Sequence, residues 1–241
     1  SAAGGALGSS IEHIFQGWDY VDRLDDVREP AEEEAALAAF DLEAFPERLM
    51  QAADAGLPDR PLDSWTSTAR FRRDLVRALG GRAATQGMVA LELGAYLGYT
   101  TRFLAGAFRA VVAVEREARF AERARRLLAA RRNAEVLQLD TFRDDWGPLA
   151  QAARAAGGAD VVLLDGGHEY QTVLSDLSLV LFGGLGAAAR GGRPSFVVVD
   201  DYPTRAEVAQ AVADFTHMGL LRVGPALGDA EGVLCEVLEA A

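Results

Sequence analysis

The chain has 241 residues, half of them hydrophobic and a quarter charged, with a formal net charge of -12. That length suits one large domain, or a domain with an appendage, and supports a sizeable core. The acidic balance argues against a general nucleic-acid binder, and no apolar run approaches the roughly 20 residues of a membrane-spanning helix.

All 24 basic residues are arginines, so no lysine can serve as general base or Schiff-base former. Cys235 is the only cysteine, which excludes an internal disulfide and a thiolate metal cluster and makes a reducing compartment, by default the cytoplasm, the expectation. The chain opens at Ser1 without a methionine and reads as a trimmed, excised or processed product. Its first ten residues form a small-residue tail without the layout of a secretory signal.

Residues 11–80 read as a helical cap region. "EPAEEEAALAAF" puts a proline and acids at a helix start, "ERLMQAADAG" ends on a C-terminal glycine, and "LPDRPLD" is a turn-rich linker. "SWTSTARFRRDLVRALG" spaces Phe71, Leu75 and Leu79 along one helix face. From residue 88 the texture changes. "MVALEL", "AVVAVE", "EVLQLD", "DVVLLD" and "SFVVVD" read as strands. Between and after them, "TTRFLAGAF", "REARFAERARRLLAARR", "WGPLAQAARAAG", "YQTVLSDLSLVLF" and "TRAEVAQAVADF" read as helices. Such alternation predicts βαβ units around a buried parallel sheet over residues 81–241. The tail "LLRVGPALGDAEGVLCEVL" predicts a closing hairpin around a Gly-Asp turn.

Nearly every strand ends in an acid: Glu92, Glu115, Asp140, Asp165, and Asp200 with Asp201. Ligands of open α/β sheets bind beyond the carboxyl ends of the strands, so these acids predict one shared site. "LELGAYLGYTT" places Gly94 and Gly98 in the first strand-to-helix loop, where glycine allows a sharp turn and close approach to a ligand. Tyr96 occupies the second-glycine position of a dinucleotide fingerprint, which argues against a nicotinamide or flavin cofactor. Glu115 follows Gly94 by 21 residues at the tip of the second strand, where an acid can accept hydrogen bonds from both ribose hydroxyls of an adenosine.

"LELGAYLGYTT" resembles motif I of class I S-adenosylmethionine-dependent methyltransferases, and most resembles the catechol O-methyltransferase type acting on small molecules. The likeness covers residues 88–238. It implies a Rossmann-like, doubly wound sheet of seven strands, the last antiparallel, beneath an N-terminal helical cap. It implies further that Glu92, Gly94, Ala95, Tyr96, Gly98, Tyr99 and Thr100 serve the methionine end of the cofactor, that Glu115 holds the ribose, and that Asp140 and Thr141 lie beside the adenine. Trp65, Thr66 and Ser67 fall loosely where the family's cap closes. "DGGHEY" also resembles the motif after strand four in a broad group of bacterial methyltransferases acting on sugars and other small molecules.

In the catechol type, the aspartate matching Asp165 is a magnesium ligand, joined by two residues ending strand five, here Asp200 and Asp201. Three oxygen side chains suit a hard divalent cation. Asp201 stands where the family usually has asparagine. His168 stands at the family's catalytic lysine position, and an imidazole suits proton abstraction near neutrality. The bland readings are a turn and helix cap for the two aspartates, and a capping or backbone-bonded role for His168. His13 and His217 read as structural or exposed, and the seven arginines of residues 116–132 as a solvated helix face.

The sequence therefore predicts methyl transfer from S-adenosylmethionine to oxygen of a small molecule, with divalent-metal assistance. Nucleic acid and membrane are not expected as partners, and a homodimer is left open. The rival readings are a domain that binds the cofactor without catalysis, serving a larger assembly, and a nicotinamide-dependent oxidoreductase.

Overall fold

The computed structural model describes residues 67–239; the expectations for residues 1–66, including those on His13, Trp65 and Thr66, lie outside them. Seven strands form one sheet: β1 (Val89–Leu93), β2 (Ala110–Glu115), β3 (Ala134–Gln138), β4 (Val161–Leu164), β5 (Phe196–Asp200), β6 (Leu221–Leu227) and β7 (Gly232–Val237). Their order is β3-β2-β1-β4-β5-β7-β6. Strands β1 to β5 pair in parallel, while β7 runs antiparallel to both β5 and β6. The tail is the closing hairpin that its Gly-Asp turn predicts, with Gly228 at positive φ in the turn.

The helices are α1 (Ala69–Ala78), α2 (Arg82–Thr85), α3 (Tyr99–Ala107), α4 (Ala118–Leu127), α5 (Gly147–Ala156), α6 (Tyr170–Phe182) and α7 (Ala206–His217). Strand β1 is buried at all five positions and β4 at all four. Their unbroken apolar runs therefore mark strands covered on both faces. On one face Leu91, Val112, Val162 and Val197 pack with Leu149 and Ala153 of α5, Leu177 of α6 and Val212 of α7. On the other, Ala113 meets Ala121 and Ala124 of α4, where small side chains let the helix lie close. Phe71, Leu75 and Leu79 are all buried, as their helical spacing predicts. Each such side chain contributes about 1.5–3 kcal/mol by leaving water.

Register decides where the site falls. Leu93 pairs with both Val114 and Leu164, and Leu164 pairs with Val199. One residue further along, Gly94, Glu115, Asp165 and Asp200 therefore stand in a single row across β2, β1, β4 and β5. Because side chains alternate between faces, a slip of one residue would break up this row.

The opposite edge is held by Asp160, whose carboxylate accepts from the Val89 amide at 2.8 Å and from Arg190 at 2.7 Å. Asp160→Ala should cost about 1–3 kcal/mol in urea denaturation, because it orphans the amide that starts β1. Asp160→Asn, which keeps an acceptor for Val89, should recover part of the loss.

Candidate active site

A pocket of about 1010 Å³ opens over the row and is lined by Gly94, Tyr96, Glu115, Asp140, Thr141, Asp165, His168, Asp200 and Asp201. Its size reaches the upper end of the roughly 300–1,000 Å³ range of small-molecule sites, room for an adenosine-bearing ligand and a second small molecule. With Ser67, ten of the residues singled out from the sequence thus meet on one wall system. Glu92, Ala95, Gly98, Tyr99 and Thr100 do not line it.

The glycine loop owes its form to packing as well as to access. Gly94 has φ of 102°, and a Cβ there would lie 2.2 Å from the backbone oxygen of Asp165. No other residue would let the β1 loop lie against the β4 loop. Gly98 has φ of 89°, and its Cβ would meet that of Ala124 at 2.9 Å, so it admits α4 rather than a ligand. Between them Tyr96 takes a left-handed conformation, φ 47°, with its ring edge-on to Phe120 at 4.7 Å between centroids. Glu115 anchors this turn: its two oxygens accept from the amides of Tyr96 and Glu117, each at 2.8 Å. Each carboxylate oxygen keeps a further lone pair, and the residue forms part of the pocket wall.

Glu92 sits behind this surface, fully buried, with one oxygen accepting from the Thr101 hydroxyl and the other without a partner. Burial pushes its pKa up to about 8, with only partial opposition from Thr101, so the group is neutral at physiological pH. Thr100 is also buried and bonds Ser67 at 3.0 Å, tying α3 to the segment that enters α1. Ser67 itself lines the pocket.

At the far end, the turn after β3 is held from several sides. The Asp140 amide donates to Asp144 at 2.8 Å, the Phe142 amide to Asp140 at 3.0 Å, and the Trp146 indole to the Thr141 carbonyl at 2.6 Å. The Thr141 hydroxyl donates to Asp176 of α6 at 2.8 Å. Asp176 is 2 % exposed, and burial raises its pKa to about 6 against the lowering effect of the Thr141 bond.

The central cluster differs from the expected ligand set. Asp165, His168 and Asp200 each bring one ligand atom to within 4.8 Å of the others. Burial raises both carboxyls: Asp165 well above its usual range, with Asp200 as a second cause, and Asp200 to about 7. Two carboxylates this close need a shared proton or a cation between them, and the Asp200 Oδ1 atom is buried without a hydrogen-bond partner. That orphaned oxygen and the hard donor set fit a divalent cation. Asp201 is engaged elsewhere: its Oδ2 accepts from Arg205 at 2.6 Å and stands 3.3 Å from Nε2 of His168. The His168 contact is at ion-pair distance but lacks hydrogen-bond geometry. Asp201 has φ of 57°, and the Arg205 amide donates to its carbonyl at 3.0 Å, closing a tight turn. Burial lowers the His168 pKa from its usual 6.5, outweighing the opposing pull of Asp201.

Three contributors escaped the sequence reading. Asp176 left a trace, an acid among the apolar residues Val173, Leu177 and Val180 of α6. Arg205 and Glu231 left none. Glu231 lines the pocket from the hairpin and accepts from the Thr68 amide and hydroxyl at 2.7 and 2.6 Å, a pairing across 163 residues.

Residues 91–202, from β1 to the turn after β5, match the family model described as a methyltransferase domain. No curated protein matches the chain at a significant level. Among solved structures, it is similar to Aeropyrum pernix fibrillarin with natively bound S-adenosyl-L-methionine, at 14% identity and TM-score 0.47, covering 68% of this chain and 72% of that one. It is also similar to an S-adenosylmethionine-dependent methyltransferase from Aquifex aeolicus, at 14% identity and TM-score 0.48, covering 80% and 100%. A third is the precorrin-6y C5,15-methyltransferase of Geobacter metallireducens, at 13% identity and TM-score 0.48, covering 73% and 91%.

Asp176 makes a pH prediction. Its folded pKa, about 6, lies above the ordinary 3.8, so it favours folding most below the ordinary value and loses that contribution as pH rises through 6. Two units correspond to about 3 kcal/mol. Asp176→Asn keeps an oxygen for Thr141 and never ionises. Urea denaturation should therefore show wild type losing up to about 3 kcal/mol relative to the variant as pH rises from 4 to 7. Parallel stability curves would contradict the assignment.

Proposed function

We propose that the protein transfers the methyl group of S-adenosylmethionine to a hydroxyl oxygen of a small molecule, with a divalent cation held by Asp165 and Asp200. The observation that carries this reading is the half-buried His168, its pKa lowered, beside that carboxyl pair on the wall of the pocket.

S-adenosylmethionine supplies an electrophilic methyl on a positively charged sulfur, and leaves as the neutral thioether. A cation in the carboxylate pair would lower the pKa of the acceptor hydroxyl. The residues do the rest. Glu115, with lone pairs to spare, accepts from the ribose hydroxyls, while Asp140 and Thr141 border the adenine. His168 is neutral near pH 7 and receives the hydroxyl proton as the oxygen bonds to the methyl carbon and the carbon–sulfur bond breaks. Oxygen as the acceptor rests on this base and cation pairing, which an already nucleophilic amine would not need.

Calorimetry with S-adenosylhomocysteine, with and without magnesium, tests donor and cation together. Wild type should bind it, and Glu115→Ala should weaken binding by about 1.5–3 kcal/mol through lost charge-assisted hydrogen bonds. No binding by folded wild type would overturn the reading. Magnesium should bind wild type but not Asp200→Asn; equal binding by both would remove the cation from the proposal.

With labelled donor and a panel of hydroxylated small molecules, His168→Ala should lower turnover about 100-fold or more, since general-base help is typically worth 10²–10⁴. Donor affinity should be nearly unchanged. A variant that binds donor normally and turns over at the wild-type rate would make His168 a packing residue.

A further inference from the structure

We propose that Asp201, itself fixed by Arg205, sets the tautomer of His168, so that Nδ1 is the nitrogen that accepts the proton. This inference rests on the methyltransferase reading only for its use in catalysis; the tautomer stands or falls on its own.

The two ring nitrogens meet different surroundings. Nε2 is buried and makes no regular hydrogen bond, while the carboxylate oxygen Oδ2 of Asp201 lies 3.3 Å away. A neutral imidazole carries one N–H and one bare nitrogen. Placing the bare nitrogen at Nε2 would set two lone-pair bearers against each other in a water-poor position. Placing the proton there lets it point at a carboxylate, and a small ring rotation makes a charge-assisted bond. The lone pair is then left on Nδ1. The His168 side chain is 26% exposed and forms part of the pocket wall.

Asp201 is well placed to direct the ring because it is held independently of it. Arg205 Nε donates to Oδ2 at 2.6 Å. The Thr204 hydroxyl donates to the Asp201 carbonyl at 2.9 Å and approaches Oδ1 at 3.4 Å. The left-handed backbone of Asp201 is closed by the Arg205 amide. The carboxylate is thus oriented by neighbours on its own turn before it meets the ring. Asp201 and Arg205 are positioning residues; His168 is the one that touches the reacting proton.

Nitrogen-15 NMR of the histidine-labelled chain tests this directly, in chelator, at a pH about two units above the ordinary imidazole value so that the ring is neutral. The His168 signals are assigned by comparison with His168→Gln. In wild type the Nε2–H form should dominate by about tenfold or more, the bias expected of a charge-assisted bond. Asp201→Ala and Arg205→Ala should each shift the population toward a mixture, and Arg205→Lys, which keeps a cation beside Asp201, should restore most of the bias. If Asp201→Ala does not fold, the exposed Arg205 variants and the wild-type spectrum decide. A wild-type ring protonated on Nδ1, or a tautomer ratio unchanged in folded Arg205→Ala, overturns the proposal. Wild type is also titrated with S-adenosylhomocysteine. Failure of wild type to bind it would sink the methyltransferase reading while leaving the tautomer result intact.

Discussion

The site depends on one geometric constraint: four neighbouring parallel strands end in step. With Leu93 facing Val114 and Leu164, and Leu164 facing Val199, the next residue on each strand joins a common row. Glu115, Asp165 and Asp200 then present acids to one pocket, and Gly94 supplies the gap among them. Gly94 is indispensable to this arrangement because any side chain there would strike the Asp165 backbone. Hydrophobic burial on both faces of the sheet stabilises the register, so the energy that folds the domain also aligns its chemistry.

Crowding acids on one edge has an electrostatic consequence. Asp165 and Asp200 cannot both carry an unshielded charge in so little water, and burial raises both. Behind them burial pushes Glu92 up to about 8 as well, and its charge is a further cause of the rise at Asp165. Lined by more acids than arginines, the pocket favours positively charged ligands. The same burial acts on His168 in the opposite sense and keeps the imidazole unprotonated. One physical cause, removal of water, thus raises the acids and lowers the imidazole.

Asp200 and Asp201 are adjacent in sequence and diverge in use. Asp200 closes β5 and faces Asp165. Asp201 adopts a left-handed backbone, begins the turn into α7, and is claimed by Arg205 and His168. Three oxygen ligands are the expectation from the pattern "VVVDDY"; the ligand atoms that lie within 4.8 Å of one another are those of Asp165, His168 and Asp200. At the opposite end of the pocket, the Asp176–Thr141 bond ties α6 to the turn after β3, so the wall predicted to border the adenine is braced from beneath.

The order of strands and helices was legible in the sequence because apolar runs and helical spacing report burial directly. β2 spans the residues its apolar run marks, and α6 coincides with "YQTVLSDLSLVLF". The acid at each strand tip likewise announced a site at the carboxyl edge, since parallel strands joined by helices present those ends together. Pairings between distant residues were decided only by the tertiary structure. Nothing near Glu231 signals Thr68, and nothing in "GAYLG" reveals that Gly98 makes room for α4 or that Glu92 lies behind the pocket wall. Local pattern records which face of an element is dry. Which nitrogen of His168 is buried, and which of two neighbouring aspartates reaches it, depends on backbone turns and side-chain directions that exist only once the chain has closed.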